Sequence, residues 1–172
     1  MFIAACDNSF LYNQEKYELL KNDLSIDMIV WTFTQHPSLD EKPESWGWVK
    51  LGEDGMTIED VSVKVPISTT PFNDHAVVAT FYFRRSADFK EAYDLMVQGE
   101  YRVNGEFYVD AMPLFYKKLH KRSVLFDVDL YVGWGKPEDL YAYQEWEYRV
   151  KMGVHTEDPE FSIWKKFIHS LQ

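Results

Sequence analysis

The chain has 172 residues, enough for one domain that buries about 70% of the surface its unfolded form exposes. Its hydrophobic fraction of 46% is ordinary for a globular protein, and no stretch approaches the roughly 20 apolar residues of a membrane span, so no membrane partner is expected. A formal net charge of -10 argues against nucleic acid or anionic lipid as partners, so an anionic ligand needs a local positive device such as a metal ion or a helix N-terminus.

The opening run MFIAACDN reads as a buried strand over residues 2–6 that delivers Asp7 and Asn8 at its carboxyl end, the place where α/β folds bind ligands. Cys6, the single cysteine, rules out a disulfide within one chain and reads as inert packing inside that strand. The opening lacks a basic segment before a long apolar core, and a reducing cytoplasm is the expected compartment.

Asn13 caps a helix through Lys21, with Tyr17 and Leu20 on one face. The apolar run Met28 to Phe33 predicts a strand buried on both faces. After a Pro-containing loop, two strand-like runs flank Glu53, Asp54 and Gly55, a hairpin signal, with Val61, Val63 and Val65 alternating on one face. Ala76 to Phe83 predicts another buried strand. Ser86 then caps a helix whose apolar stripe is Phe89, Ala92, Tyr93 and Met96. A further helix starts at Asp110 with Pro113 in its first turn, and its basic end, Lys117 to Arg122, complements the helix dipole.

Residues 124 to 134 read as one strand, with Val124, Phe126, Val128, Leu130 and Val132 on one face and Asp127 and Asp129 on the other. Pro137 opens a helix through about Val150, and Asp158, Pro159 and Glu160 open a last one with Phe161, Trp164, Ile168 and Leu171 as its stripe. The expected fold is a single α/β domain over residues 1–172: a Rossmann-like, mostly parallel sheet flanked by helices, with an inserted β-hairpin. Metal-binding histidine spacing, a nucleophile elbow and a phosphate loop of Walker type are all absent from the sequence.

Five ordered segments resemble the sugar-phosphate nucleotidyltransferases of the glucose-1-phosphate thymidylyltransferase type. Cys6-Asp7-Asn8 is similar to the family's GDN at a strand end. Pro43-Glu44-Ser45-Trp46-Gly47-Trp48-Val49 looks like PxxYGxV, followed by Val63-Lys64-Val65-Pro66 in place of EEKP. Ala76 to Phe83 resembles the strand AVxGxYxF, Asn104 to Asp110 resembles GEYYxTD, and Gly133 to Leu140 resembles the WGTPEDL-type turn of capsule and lipopolysaccharide cluster members.

The resemblance implies transfer of a nucleoside monophosphate from a triphosphate to a sugar 1-phosphate for surface-polysaccharide precursors. It makes Asp7 the catalytic Mg²⁺ ligand, with Asp129 or Asp127 as candidates for a second. Glu106, Asn104, Ala79, Gly47, Asn8 and Trp134 are the implied substrate contacts, for a sugar 1-phosphate or nucleotide sugar, and Asp7 and Glu106 are expected to face one cleft. The chemistry agrees: phosphoryl transfer needs charge neutralisation and positioning more than an acid or base, and Mg²⁺ is satisfied by one or two carboxylates.

This chain departs from the family in lacking the GxGxR loop that binds the triphosphate and in carrying Gly133 where the DTGT aspartate stands. Activity of the chain alone is therefore doubtful. The strand over 2–6 is expected to leave an open sheet edge, filled by a second copy or by a complementary N-terminal chain. A non-catalytic sugar-phosphate-binding module that docks through that edge is the alternative reading, and an unrelated carbohydrate-binding protein, with Trp46, Trp48 and Trp134 as stacking groups, is a third.

Overall fold

The computed structural model describes residues 1–154 and 157–171, so His155 lies outside them. Two compact units are distinguished, one made of residues 1–5 and 14–127, the other of 6–13 and 128–172.

The larger unit is a sheet in the order β5-β4-β6-β3-β7, with β1 also on β6. Its strands are β1 (Phe2–Ile3), β3 (Met28–Phe33), β4 (Gly47–Leu51), β5 (Ile58–Val63), β6 (His75–Phe83) and β7 (Ser123–Asp127). β2 (Asn8–Leu11) belongs to the smaller unit. The α/β class, the flanking helices and the hairpin β4–β5 are as expected, but the strand directions are not mostly parallel. Among the described residues only β3 and β7 run parallel, while β1–β6, β3–β6, β4–β5 and β4–β6 are antiparallel. Apolar runs signal burial on both faces and say nothing of direction, which explains the error.

Alternation along β3 divides its side chains between two apolar layers. Met28 and Val30 enter a core with Val49, Val61, Val63, Val77 and Phe81, closed by α3 (Ser86–Gln98) and α4 (Met112–Lys118). On the other face Trp31 meets Phe2, Phe126 and Tyr17, the last carried by α1 (Gln14–Asn22). Of the stripe expected on α3, Ala92 and Met96 are buried, whereas Tyr93 is exposed and stacks on Phe89. Ser86 is the first helical residue rather than the cap. A 3₁₀ turn over Val109–Ala111 precedes α4, so the helix proper begins at Met112.

The strand expected over residues 2–6 is a correction. β1 has two residues and joins β6 antiparallel, and the Ala5 N–H donates to Ala79 O at 3.1 Å. Cys6 is exposed rather than packed. Asp7 therefore does not end a central strand, and the open edge expected along 2–6 is replaced by a short edge strand. The Leu125 N–H donates to Met56 O, and Thr57 bridges Val124, so the hairpin tip also covers the outer side of β7.

The strand expected over 124–134 breaks at Val128 and Asp129 and serves two sheets. β7 ends at Asp127, and β8 (Leu130–Gly133) pairs antiparallel with β2 (Asn8–Leu11) in the smaller unit. There Val132, Trp164, Phe167 and Ile168 form the core with α5 (Pro137–Lys151) and α6 (Phe161–Ser170), and Trp146 stacks on Trp164 at 5.6 Å. Leu171, expected in the α6 stripe, is 50% exposed, and Phe167 takes its place. Among the described residues no helix is long and apolar enough to cross a membrane.

Candidate functional site

In the larger unit one group of polar residues forms around the start of β4. Gly47 is buried and pairs with Val63. A methyl at Gly47 would collide with Asp110 Oδ2 and lie 3.0 Å from Cγ and 3.1 Å from Cβ of Asp110. Glycine here is what lets the carboxylate lie against the sheet. Burial pushes the Asp110 carboxyl up from 3.8 to about 6, against an opposing pull from the Lys64 ammonium.

Lys64 leaves β5 with φ of 65°, and its backbone N–H donates to Trp46 O. Its ammonium donates to Ser45 O and lies 5.5 Å from the centre of the Tyr108 ring. Tyr108 in turn donates its hydroxyl to Glu106 at 2.6 Å, a bond that raises the phenol's pKa. Glu106 stands at the end of a two-residue turn. Val103 and Glu106 exchange both backbone hydrogen bonds across Asn104 (φ 52°) and Gly105 (φ 83°), the type I′ pattern for which Asn-Gly is the preferred pair. Gly47, Lys64, Glu106, Tyr108 and Asp110 thus converge from β4, the end of β5 and the segment before α4. Sequence reasoning named Gly47 and Glu106 but missed Tyr108 and Asp110, because the contact of Asp110 with Gly47 joins residues far apart in the chain and leaves no local signal.

The other expected residues take different places. Asn104 is exposed, and its positive φ ties it to the turn. Ala79 has φ of 55° inside a bulge in β6, where two β3 steps from Val30 to Thr32 face four from Phe81 to Val77. Trp48 is fully buried with its ring N–H on Pro43 O, so it is no open stacking platform, while Trp46 donates its ring N–H to Ser38 O and meets Phe33 edge to face at 5.1 Å.

Asp127 pairs with Thr32 and His75 within the larger unit. Asp7, Asn8, Asp129 and Trp134 belong to the smaller unit. There Asp7 is exposed, its carbonyl accepts the Trp134 N–H at 2.8 Å, and its Oδ2 is 3.7 Å from where a methyl on Gly135 would stand. Asp139 Oδ2 is 3.1 Å and Tyr131 OH 3.4 Å from the corresponding point on Gly133. Burial raises the Tyr131 phenol, with the charges of Asp7 and Asp139 adding to the effect. Asn8 pairs with Gly133. Among the described residues no three His, Cys, Asp or Glu side chains converge as a metal cage.

No family model and no curated protein sequence matches the chain. Solved structures do. The nucleoside-diphosphate-sugar pyrophosphorylase from Vibrio cholerae RC9 superposes with a TM-score of 0.62 at 16% identity, over 82% of this chain and 54% of that one. A putative glucose-1-phosphate thymidylyltransferase from Bacillus anthracis, in complex with a sucrose, gives 0.58 at 16% identity, over 83% and 52%. The chain spans about half the length of these structures, and the likeness establishes that it shares their mixed α/β fold, a central sheet flanked by helices.

Proposed function

We propose that this chain is a nucleotidyltransferase-like protein whose larger unit binds a sugar 1-phosphate or the sugar of a nucleotide sugar. The observation that carries the reading is the convergence of Lys64, Asp110, Tyr108 and Glu106 around Gly47. It provides what such a ligand requires: one cation for an anionic group, and carboxylates for sugar hydroxyls. Glu106 holds the Tyr108 hydroxyl with one oxygen and presents the other to solvent, and the I′ turn fixes the carboxylate's base. Two solved neighbours, one named for a nucleoside-diphosphate sugar and one, as putative, for glucose 1-phosphate, support the same class.

Transfer of a nucleoside monophosphate requires neutralisation of phosphate charge. Mg²⁺ supplies that when bound, and it accepts one or two carboxylates while keeping several waters. Asp7 is the residue we assign to it, with Asp139 as the second carboxylate along the Gly133 to Gly135 turn. Asp7 is solvent-accessible and is anchored through its own backbone to Trp134, so its carboxylate is free to exchange water for metal.

Calorimetry with glucose 1-phosphate tests the assignment. Glu106→Gln keeps size and one acceptor but loses the charge, and a loss of roughly 1.5–3 kcal/mol in affinity is expected. Lys64→Met is expected to weaken the same binding in a salt-dependent way. Equal affinities of parent and both variants would remove this reading.

A further inference from the structure

Three strands of the larger unit bring Thr32, Asp127 and His75 together on one face of the sheet. Thr32 and Asp127 are register partners on β3 and β7, and Thr32 lies opposite Val77 on β6, two residues from His75. The Thr32 hydroxyl donates to Asp127 Oδ1 at 2.6 Å, and His75 Nδ1 meets the same oxygen at 2.9 Å. An ionised carboxylate only accepts, so the hydrogen between them is carried on Nδ1. Thr32 is fully buried, and it fixes the carboxylate that fixes the ring. The His75 and Asp127 side chains remain 27% and 36% exposed. Among the described residues nothing bonds His75 Nε2 or Asp127 Oδ2.

A buried threonine, a carboxylate and an imidazole with one committed nitrogen form an oriented group with its second nitrogen unspent. What it can bind follows from that nitrogen. Neutral imidazole offers Nε2 as an acceptor and imidazolium offers it as a donor; a hydroxyl, which both donates and accepts, satisfies either form. Asp127 Oδ2 accepts from a second hydroxyl. The cluster is also placed to extend the site around Gly47. His75 is the register partner of Val49, two residues along β4 from Gly47, or about 7 Å at strand spacing. Val49 and Val77 share one core layer, so His75 shares the sheet face against which Asp110 lies.

We propose that Thr32, Asp127 and His75 form a hydroxyl-binding subsite for a sugar ring, in which His75 Nε2 and Asp127 Oδ2 each take a hydroxyl. His75 and Asp127 touch the ligand, and Thr32 positions Asp127. The ligand class rests on the sugar-phosphate reading above, while the subsite rests on the three-residue geometry.

Long-range proton–nitrogen correlation of the His75 ring in the unmodified chain, titrated with glucose and with glucose 1-phosphate, tests it without any substitution. The Nε2 resonance is expected to move on ligand addition, while Nδ1, held by Asp127, stays nearly still. Calorimetry supplies the second arm. His75→Asn keeps an amide N–H facing Asp127 and removes the distal nitrogen, and is expected to lower glucose 1-phosphate affinity by about tenfold. His75→Gln, which restores a polar atom near the Nε2 position, is expected to recover most of the loss.

A stationary Nε2 resonance at saturating ligand, or parental affinity in His75→Asn, overturns the subsite. If Glu106→Gln and Lys64→Met weaken binding while His75→Asn does not, the subsite alone falls. If only the His75 variant weakens it, the subsite stands and the reading around Gly47 falls. No response to either sugar removes both.

Discussion

Gly47→Ala puts the geometry of the candidate site under direct strain. The added methyl would meet not only the carboxylate tip of Asp110 but also Cγ at 3.0 Å and Cβ at 3.1 Å. Rotating the side chain about its first torsion moves the tip and leaves Cβ where it is, so relief requires the 3₁₀ turn Val109–Ala111 to shift. That turn carries Ala111 and leads into Met112, which are 1% and 0% exposed in the core. Overpacking of this kind costs about 1–3 kcal/mol, and the rooted contact places Gly47→Ala in the upper part of that range. Urea unfolding followed by circular dichroism is expected to show a lower midpoint with an unchanged slope. In an Asp110→Gly background, where the Oδ2, Cγ and Cβ contacts are all removed, the cost should drop to below about 1 kcal/mol, a coupling typical of touching residues. The same cost in both backgrounds, or no cost in either, would refute the packing of Asp110 on Gly47.

Burial raises the Asp110 carboxyl from 3.8 to about 6. A folded-state value above the unfolded one means the native chain holds the proton more tightly, so the stability this group contributes is complete below pH 3.8 and is lost as pH rises through 6; by linkage the loss is up to about 3 kcal/mol, less in proportion to the residue's partial exposure. Asp110→Asn is therefore expected to unfold at higher urea than the parent at pH 7 and to show a flatter stability profile across the acid range. Ala79→Gly should stabilise the chain by roughly 0.5 kcal/mol, since relief of the left-handed backbone at φ 55° outweighs the entropy lost by glycine; a lower melting temperature would count against the bulge. Asp7→Asn should leave unfolding within about 0.5 kcal/mol of the parent while weakening Mg²⁺ binding in calorimetry, and an unchanged Mg²⁺ affinity would exclude Asp7 as the ligand.

Much of the larger unit was legible because its elements announce themselves locally. Val61 and Val63 alternate, Gly55 marks the hairpin, Phe89, Ala92 and Met96 follow helical spacing, and Pro113 and Pro137 stand in first turns. Strand direction was not legible, because it is decided by pairing between residues as far apart as Met28 and Phe83. The division of residues 124–134 between two sheets was hidden for the same reason: alternation continues unbroken through Val128 while the chain changes partners. Cys6 looked buried because Phe2 to Ala5 are apolar, yet those residues form an edge that covers only one side of β6. Asn104-Gly105 carried a plain hairpin signal that a resemblance to sugar-binding residues obscured. Asp110 gave no sign of its burial, which depends on a glycine 63 positions earlier having no side chain.

Lys64 shows where a sequence rule stops applying. Successive residues of a strand point to opposite faces, and by that rule Lys64 cannot replace a lysine one position later. The rule presumes extended backbone, however, and Lys64 has φ of 65°, which ends β5 at Val63 and redirects the side chain. A β-carbon in the left-handed region costs about 1–2 kcal/mol, and here Trp46 O holds the Lys64 N–H while Ser45 O receives its ammonium. Strain of that size, offset by two specific bonds beside Asp110 and Tyr108, places a cation where alternation would have turned it away. Asn104, in the turn that presents Glu106, also has positive φ, 52°. Both charged ends of the candidate site are thus set by left-handed backbone, and this fixes the positions of cation and carboxylate more firmly than flexible surface side chains on regular strands would allow.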